Sequence, residues 1–282
     1  MSVKFRNFLS RNTAISAFVL ALVFLAAVAL GAMGDTSFLS VEGLLIVIGG
    51  SIANALLSYP REDVRKAYMT VRNMLKKPRD RREDLHKDIM RLIMWSYVVQ
   101  AHDFLGLEKE SAKTVRDPLE RYGLDLVVSG YPAGKIREMM ETVAEAEFAR
   151  RCTSVTVLRN MAATAPAFGM VGTLIGMMML LHNAGSDISG IQGGLAIAML
   201  STLYGILIAR LVCLPAADQL LQQEESEHFR NYMIIEGLTL LAEKQKPFYM
   251  QDRLNSFLEP AQHLQLDRYM QIAFSNRIAL AA

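Results

Sequence analysis

Four stretches of the chain carry no charged side chain over a length that could cross a membrane: Asn12–Gly34, Gly43–Pro60, Met161–Leu181 and Ile188–Ala209. About 20 residues of α-helix span the hydrocarbon core, so each stretch predicts a transmembrane helix, although the second only just reaches that length. The first stretch exceeds the hydrophobic region of a cleaved signal peptide and is closely followed by the second, so we expect it to be retained. The pattern therefore predicts an all-α integral membrane protein with four transmembrane helices.

The long loop between the second and third spans is also helical in pattern, because its apolar residues recur every three or four positions. These residues are Leu85, Ile89, Leu92, Ile93, Val98 and Leu105. The sequence GYPAG at Gly130–Gly134 indicates a turn, and nothing after it breaks a helix before Pro166. We therefore expect the third helix to begin near Lys135, far outside the membrane, and the fourth to continue towards Pro247.

Basic residues predict the orientation of the spans. The two short connections, 35–42 and 182–192, contain no Lys or Arg, whereas Arg61–Arg91 contains eleven basic residues. Because positively charged loops stay in the cytoplasm, both termini and the long loop are expected there. The predicted organisation is two spans with an N-terminal segment, a cytoplasmic helical loop, two further spans and a cytoplasmic helical tail, with boundaries at 1–60, 61–150, 151–217 and 218–282.

Charge is segregated within the cytoplasmic loop. Arg61–Arg91 carries eleven basic and six acidic side chains, whereas Asp103–Glu147 carries ten acidic and six basic ones. Part of the basic excess is expected to meet anionic lipid headgroups, because it lies next to the membrane. The remainder favours a charged protein partner. The net charge of +2 gives no indication of nucleic-acid binding.

The sequence shows no pattern typical of an enzyme or of a cofactor site. The spans contain no Asp, Glu or Lys, apart from Glu42 at a boundary. The two cysteines, Cys152 and Cys213, are too few for a disulfide framework or a zinc site. The glycine-rich stretch Gly169–Gly176 lacks the Lys-Ser/Thr ending of a phosphate-binding loop. We therefore expect a protein without catalytic activity or cofactor.

Small residues form one stripe on each of the last two spans. The stripes consist of Ala165, Gly169, Gly172, Thr173 and Gly176 on the third span and of Gly194, Ala198, Ser201, Thr202 and Gly205 on the fourth. Such residues let helix backbones approach closely. Plain helix packing explains most of them, although this pair of helices is also expected to face a protein interior rather than lipid.

Two prolines interrupt these helices. Pro166 removes the hydrogen-bond donor for the carbonyl of Ala162, and Pro215 does the same for Leu211. Prolines are tolerated in spans where neighbouring groups or water restore the lost bond. The residues alone leave two interpretations open, a fixed kink or a freed carbonyl that contacts a passing cation.

The motifs APAFGMVGTLIG, LSTLYG and LPAAD, in this order and spacing, resemble those of the MotA/PomA family of flagellar motor stator subunits, which are relatives of ExbB and TolQ. The resemblance covers nearly the whole chain, and four spans favour the motor branch over the three-span ExbB and TolQ. It implies a homo-pentamer in the bacterial inner membrane around the helices of a MotB/PomB partner. That partner supplies the membrane carboxylate and binds peptidoglycan, while the cytoplasmic loops push the rotor protein FliG.

The resemblance also assigns roles to individual residues. Pro166 and Pro215 match two prolines needed for torque, and Thr173 and Thr202 match threonines of sodium-driven members, with Ser201 and Ala198 placed beside the same ion path. A hydroxyl is a suitable ligand for a dehydrated sodium ion, so sodium is favoured over the proton as the transported ion. Alternatively, each threonine bonds back to the carbonyl four residues earlier.

The expected rotor contact departs from the family pattern. Glu108 and Glu110 match the acidic position, but the basic position falls at Gln100–His102, where no Lys or Arg occurs. Either the pairing charge comes from Arg91 or Lys109, with His102 at the basic position, or the rotor surface differs. The departure leaves open a non-flagellar machine of the same superfamily, such as an ExbB/TolQ-like energiser of another envelope machine. A separate alternative is a membrane scaffold that conducts no ions.

Overall fold

The computed structural model describes residues 40–73, 81–115, 117–183 and 188–264. Every regular element within these ranges is a helix, as predicted, while the first predicted span, 12–34, lies outside them. The helices are α1 (Val41–Ser58), α2 (Arg61–Asn73), α3 (Arg81–Thr114), α4 (Pro118–Val128), α5 (Ala133–Asn183), α6 (Ile188–Leu207), α7 (Leu214–Ala242) and α8 (Pro247–Asn255). A π-helical turn, Ile208–Cys213, joins α6 to α7, and a short 3₁₀ turn, Pro260–Gln262, follows α8.

The chain divides into two compact units. The first unit comprises Met1–Leu75 and Thr153–Leu220, and the second unit comprises Lys76–Cys152 and Leu221–Ala282. Helices α5 and α7 each contribute residues to both. The structure groups α2 with the first unit, and the predicted domain boundaries at residues 60, 150 and 217 stay a prediction.

Three helices in the described part of the chain are long and apolar enough to cross a membrane: Val41–Ser58, Ala133–His182 and Ile191–Ala242. They correspond to the second, third and fourth predicted spans. Ser40 caps α1, because its Oγ accepts a hydrogen bond of 3.0 Å from the N–H of Gly43. At the other end Tyr59 is extended, so the chain leaves α1 there and starts α2 afresh after Pro60.

The predicted extension of both later spans is confirmed at the level of the helices. Helix α5 runs uninterrupted for 51 residues and includes Pro166. The fourth span continues through the π turn into α7, with Pro215 just past that turn. The N–H of Leu214 donates to the carbonyl of Ala209, one residue further back than in an α-helix. Because Pro215 has no N–H to offer, the carbonyl of Arg210 also loses its helical donor.

Hydrophobic residues from α3, α4, α5, α7 and α8 form the core of the second unit. The predicted apolar face of α3 is largely confirmed, since Ile89, Leu92 and Ile93 are fully buried and Leu85 is half-buried. The side chain of Leu105 lies outside the described residues. The largest fully buried side chains of this core are Trp95, Ile89, Leu92, Ile93, Leu107, Ile136, Met140, Met233, Ile234, Ile235 and Leu238.

An ion cluster lies beside this core. The guanidinium of Arg230, on α7, donates to Asp88 of α3 and, at 2.7 Å, to Asp117. Arg91 donates to Asp88 at 2.6 Å and to Glu120 at 2.9 Å. Burial raises the pKa of the Glu120 carboxyl, although the charge of Arg91 opposes that shift. The cluster therefore joins residues that are far apart in sequence.

A second buried carboxylate links three helices of the same unit. Glu236, on α7, accepts hydrogen bonds from Arg137 of α5 at 2.5 Å and from Arg253 of α8 at 2.7 Å. Burial disfavours its charged form, but the hydrogen bonds from Arg253 and Arg137 outweigh burial and lower the pKa of the carboxyl.

We expect Glu236→Gln to reduce the free energy of unfolding by about 1–3 kcal/mol at pH 7, because two charge-assisted hydrogen bonds are lost. A carboxyl whose pKa is lowered on folding stabilises the protein above its unfolded pKa, and this stabilisation disappears as the pH falls through the folded pKa. The difference in Tm between wild type and variant should therefore shrink below a pH of about 4.5. Thermal melts of the full chain in detergent measure this difference, and a constant difference across the acid range would contradict the assignment.

Candidate functional site

Helices α5 and α6 touch each other backbone to backbone in the first unit. A Cβ atom added to Gly176 would lie 2.5 Å from the backbone N of Ala198 and 2.6 Å from the carbonyl oxygen of Gly194. A Cβ atom on Gly194 would lie 2.7 Å from the backbone N of Leu180. These distances are too short for any side chain, so glycine is required on both sides of the contact.

The same contact continues towards Pro166. A Cβ atom on Gly205 would lie 2.7 Å from the carbonyl oxygen of Ala165 and 3.1 Å from the Cα of Pro166. Between the two ends, a Cβ atom on Gly169 would meet the carbonyl oxygen of Ser201 at 2.9 Å. The two small-residue stripes predicted from the sequence therefore face each other, and the helix-packing interpretation of their glycines is confirmed.

Ser201 lies where α1, α5 and α6 meet. The side chain is fully buried, and its Oγ donates to the carbonyl of Ala198 at 3.2 Å. Gly43 of α1 and Gly172 of α5 both approach it so closely that an added Cβ atom would contact it. Ser201 and Ala198 therefore pack inside the chain, and their placement beside an ion path stays a prediction.

The two threonines differ from the expected back-bonding pattern. The hydroxyl of Thr173 donates to the carbonyl of Met170 at 2.6 Å, which is three residues earlier rather than the expected four. Within the described ranges the hydroxyl of Thr202 makes no hydrogen bond, and the carbonyl of Ala198 accepts from Ser201 instead. Neither threonine is buried, so both hydroxyl oxygens keep lone pairs available for a ligand.

The two prolines occupy different settings. Pro166 is half-buried within α5 and lies against Gly205, so the contact with α6 supports the helix where a hydrogen bond is missing. Pro215 directly follows the first residue of α7 after the π turn, so it lies where the helical hydrogen-bond register changes. The π turn was not predicted from the sequence, although Pro215 is a signal for it.

Large apolar side chains cover the outer surface of α5 and α6. Met170, Leu174 and Met178 on α5 and Met199 on α6 are at least 58% exposed. This surface suits lipid or the helices of other chains. In the described part of the chain, no three His, Cys, Asp or Glu side chains come close enough to hold a metal ion.

The residues proposed for the rotor contact lie in the second unit. The charge of Arg91 is already paired within the ion cluster, and its side chain is only 22% exposed. His102 is exposed. The backbone of Glu108, Lys109 and Glu110 is helical, but their side chains lie outside the described residues.

Lys244 is a further charged residue at this surface, and sequence reasoning missed it. The next residue after His102, Asp103, interrupts α3 with φ 57° and ψ −166°. The ammonium of Lys244 lies 2.8 Å from the Asp103 carboxylate and 4.8 Å from the ring of Phe104. The hydrogen bond from Lys244 lowers the pKa of the Asp103 carboxyl. No local sequence pattern could have indicated this pair, because Lys244 follows α7 and is far in sequence from Asp103 on α3.

Comparison with known proteins identifies the family. Residues 111–233 match the MotA/TolQ/ExbB proton channel family. The Bacillus subtilis protein YtxD is 32% identical over 80% of this chain and 82% of its own length. The chemotaxis protein PomA of Vibrio alginolyticus is 29% identical over 88% of this chain and 94% of its own.

The chain has the same fold as a solved structure. The C. jejuni MotAB structure matches with a TM-score of 0.75, covering 89% of this chain and 98% of the solved chain at 20% identity. The sequence similarity extends over most of each relative, and the three motifs lie within the residues that match the family, 111–233. The chain belongs to the MotA/TolQ/ExbB proton channel family, in its MotA/PomA branch.

Proposed function

We propose that the chain is the subunit of a flagellar motor stator that surrounds the helices of a partner protein. Together with a single-span partner of the MotB/PomB type it forms a cation path in the bacterial inner membrane, and ion flow generates torque on the rotor. Five copies surround the helices of the partner, which binds peptidoglycan, and both termini lie in the cytoplasm. The subunit transports an ion rather than catalysing a reaction, so it needs no cofactor.

The observation that carries this proposal is a tightly packed pair of membrane helices without a carboxylate of its own. Helices α5 and α6 are in backbone contact, and the charge-free stretches Met161–Leu181 and Ile188–Ala209 contain no acid. A cation in the hydrocarbon core is costly unless an opposite charge compensates it, so the path needs an acid. The missing acid is therefore supplied by a second protein.

The test is reconstitution of the purified chain with and without the product of a neighbouring gene that encodes one span and a peptidoglycan-binding domain. Vesicles with both proteins should conduct cations, and replacement of the partner's membrane carboxylate by its amide should stop the flux. Equal flux from the chain alone would refute the proposal. A neighbour of the TonB type, with flux but no effect on swimming, would instead support the ExbB/TolQ-like alternative.

We propose sodium as the transported ion, on the ground that Thr173 and Thr202 both present hydroxyl oxygens that are not buried. The short bond from Thr173 to Met170 uses the hydroxyl proton and leaves the oxygen free to bind a cation. A proton path requires only a carboxylate and a chain of water molecules, so it does not need a hydroxyl at this position.

Thr173→Val should reduce sodium-driven flux by about tenfold, because the ion loses one oxygen ligand. A tenfold change corresponds to ~1.4 kcal/mol of binding free energy. The matched control is Thr164→Val on the same helix, because the hydroxyl of Thr164 also bonds back, to the carbonyl of Asn160 at 3.0 Å. Flux is measured in the reconstituted vesicles under a sodium gradient and, separately, under a proton gradient. Equal losses in the two variants would contradict a role of Thr173 as a sodium ligand. Wild-type flux that is as large under a proton gradient without sodium as under the sodium gradient would contradict sodium as the transported ion.

The rotor protein FliG is proposed to contact the surface around His102, Glu108, Lys109 and Glu110. Lys244 supports this placement, because its ion pair with Asp103 is largely exposed, at 53% and 62%, and its positive charge stays accessible next to the segment where the family pattern expects one. The contribution of Arg91 to that surface is limited by its pairing with Glu120 and Asp88.

A further inference from the structure

Helix α2 carries an exposed basic stripe. At 100° per residue, Arg61, Arg65, Tyr68 and Arg72 fall within a sector of about 60° on its surface. The three arginines are exposed, and Tyr68 is 65% exposed. Val64 and Ala67 lie on a different face and are buried. Among the described residues the three arginines have no ion-pair partner, so the stripe is an exposed basic surface next to the buried face of the helix.

The remaining charges of α2 lie away from the stripe. Glu62, Asp63 and Lys66 fall between about 100° and 200° from Arg61 around the helix axis. Lys66 pairs with Asp63 at 3.5 Å. No acid lies among the three arginines of the stripe, so its positive charge is uncompensated within the helix.

The position of α2 in the chain places the stripe close to a membrane surface. Helix α1 ends at Ser58, and α2 begins three residues later, after the extended Tyr59 and Pro60. Three residues reach at most about 10 Å, which is comparable to the thickness of one headgroup layer. The structure also groups α2 with the membrane helices.

We propose that the stripe Arg61–Arg65–Tyr68–Arg72 binds the anionic phospholipid headgroups of the inner leaflet. The guanidinium groups pair with lipid phosphates, and Tyr68 occupies the interface, where aromatic rings with a polar end are favoured. This binding goes beyond ion transport, because it fixes the cytoplasmic end of α1 to the lipid surface. Each arginine is expected to shift the equilibrium between bound and free stripe about fivefold.

The test places a nitroxide at Met69→Cys, a 47% exposed position beside the stripe, in the full chain, with Cys152→Ser and Cys213→Ala removing both native thiols. Collision of the label with a water-soluble relaxation agent is measured in nanodiscs of phosphatidylcholine with and without phosphatidylglycerol. We expect phosphatidylglycerol to shield the label. Arg65→Gln should lower the equilibrium constant between the lipid-bound and the free stripe about fivefold and so reduce the shielding. The neighbouring Lys66→Gln should leave the shielding unchanged.

Three outcomes would overturn the proposal. Equal water access in the two lipid compositions would show that anionic lipid does not bind the stripe. Equal effects of Arg65→Gln and Lys66→Gln would show that total charge, rather than the stripe, attracts the lipid. Shielding that persists in detergent without phospholipid would show that protein, such as a second copy of the chain, covers the stripe.

Discussion

Replacing Arg230 with methionine is expected to lower the free energy of unfolding of the second unit by about 3–5 kcal/mol, the usual cost of removing one partner from a buried ion pair. Arg230 donates to Asp88, Asp117 and Glu227 at once. Asp88 is only 4% exposed and would keep a single cationic partner, Arg91. Its charge would then be poorly compensated in a site that water barely reaches.

The matched control is Arg121→Met on α4, because Arg121 is exposed and forms no ion pair within the described ranges. Thermal unfolding of the full chain in detergent is followed by circular dichroism. Arg230→Met should lower the Tm strongly, whereas Arg121→Met should change the free energy of unfolding by no more than about 0.5 kcal/mol and leave the Tm almost unchanged. Similar melting of the two variants would mean that the cluster contributes little to stability.

The second unit shows which features a sequence pattern can predict. The apolar face of α3 followed from the spacing of Ile89, Leu92 and Ile93, because helical periodicity is a local property. The ion cluster could not be predicted, since Arg230 meets Asp88 only after α7 has packed beside α3. The pairing of Arg91 with Glu120 could not be predicted either, because it also depends on how the helices pack. The position of Arg91 in the sequence alone therefore suggested a rotor contact.

The membrane helices were more predictable than the details of their hydrogen bonds. Length and composition predicted the spans within the described residues, and the small-residue stripes predicted which faces of α5 and α6 meet. The π turn before Pro215 and the bond from Thr173 to Met170 depend on the local register of the backbone, which apolar spacing does not encode. Lys244 was missed because its neighbour, Asp103, lies in a different part of the sequence.

Gly194→Ala is expected to destabilise the contact of α5 with α6 by about 1–3 kcal/mol, because one methyl group must enter a space that backbone atoms already fill. The added Cβ atom would lie 2.7 Å from the N of Leu180 and 2.8 Å from the carbonyl oxygen of Gly176. Neither atom can rotate away as a flexible side chain could, so the two helices must separate. Membrane helices associate chiefly through close packing, and separation removes that attraction.

The neighbouring Gly193→Ala provides the control, because a Cβ atom at Gly193 meets nothing within 4 Å. Alanine is favoured over glycine inside a helix by up to about 1 kcal/mol, so Gly193→Ala should leave the Tm unchanged or raise it while Gly194→Ala lowers it. Thermal melts and copurification with the partner subunit would measure both effects. Equal behaviour of the two variants would refute the backbone contact, and with it the packed helix pair on which the proposed ion path depends.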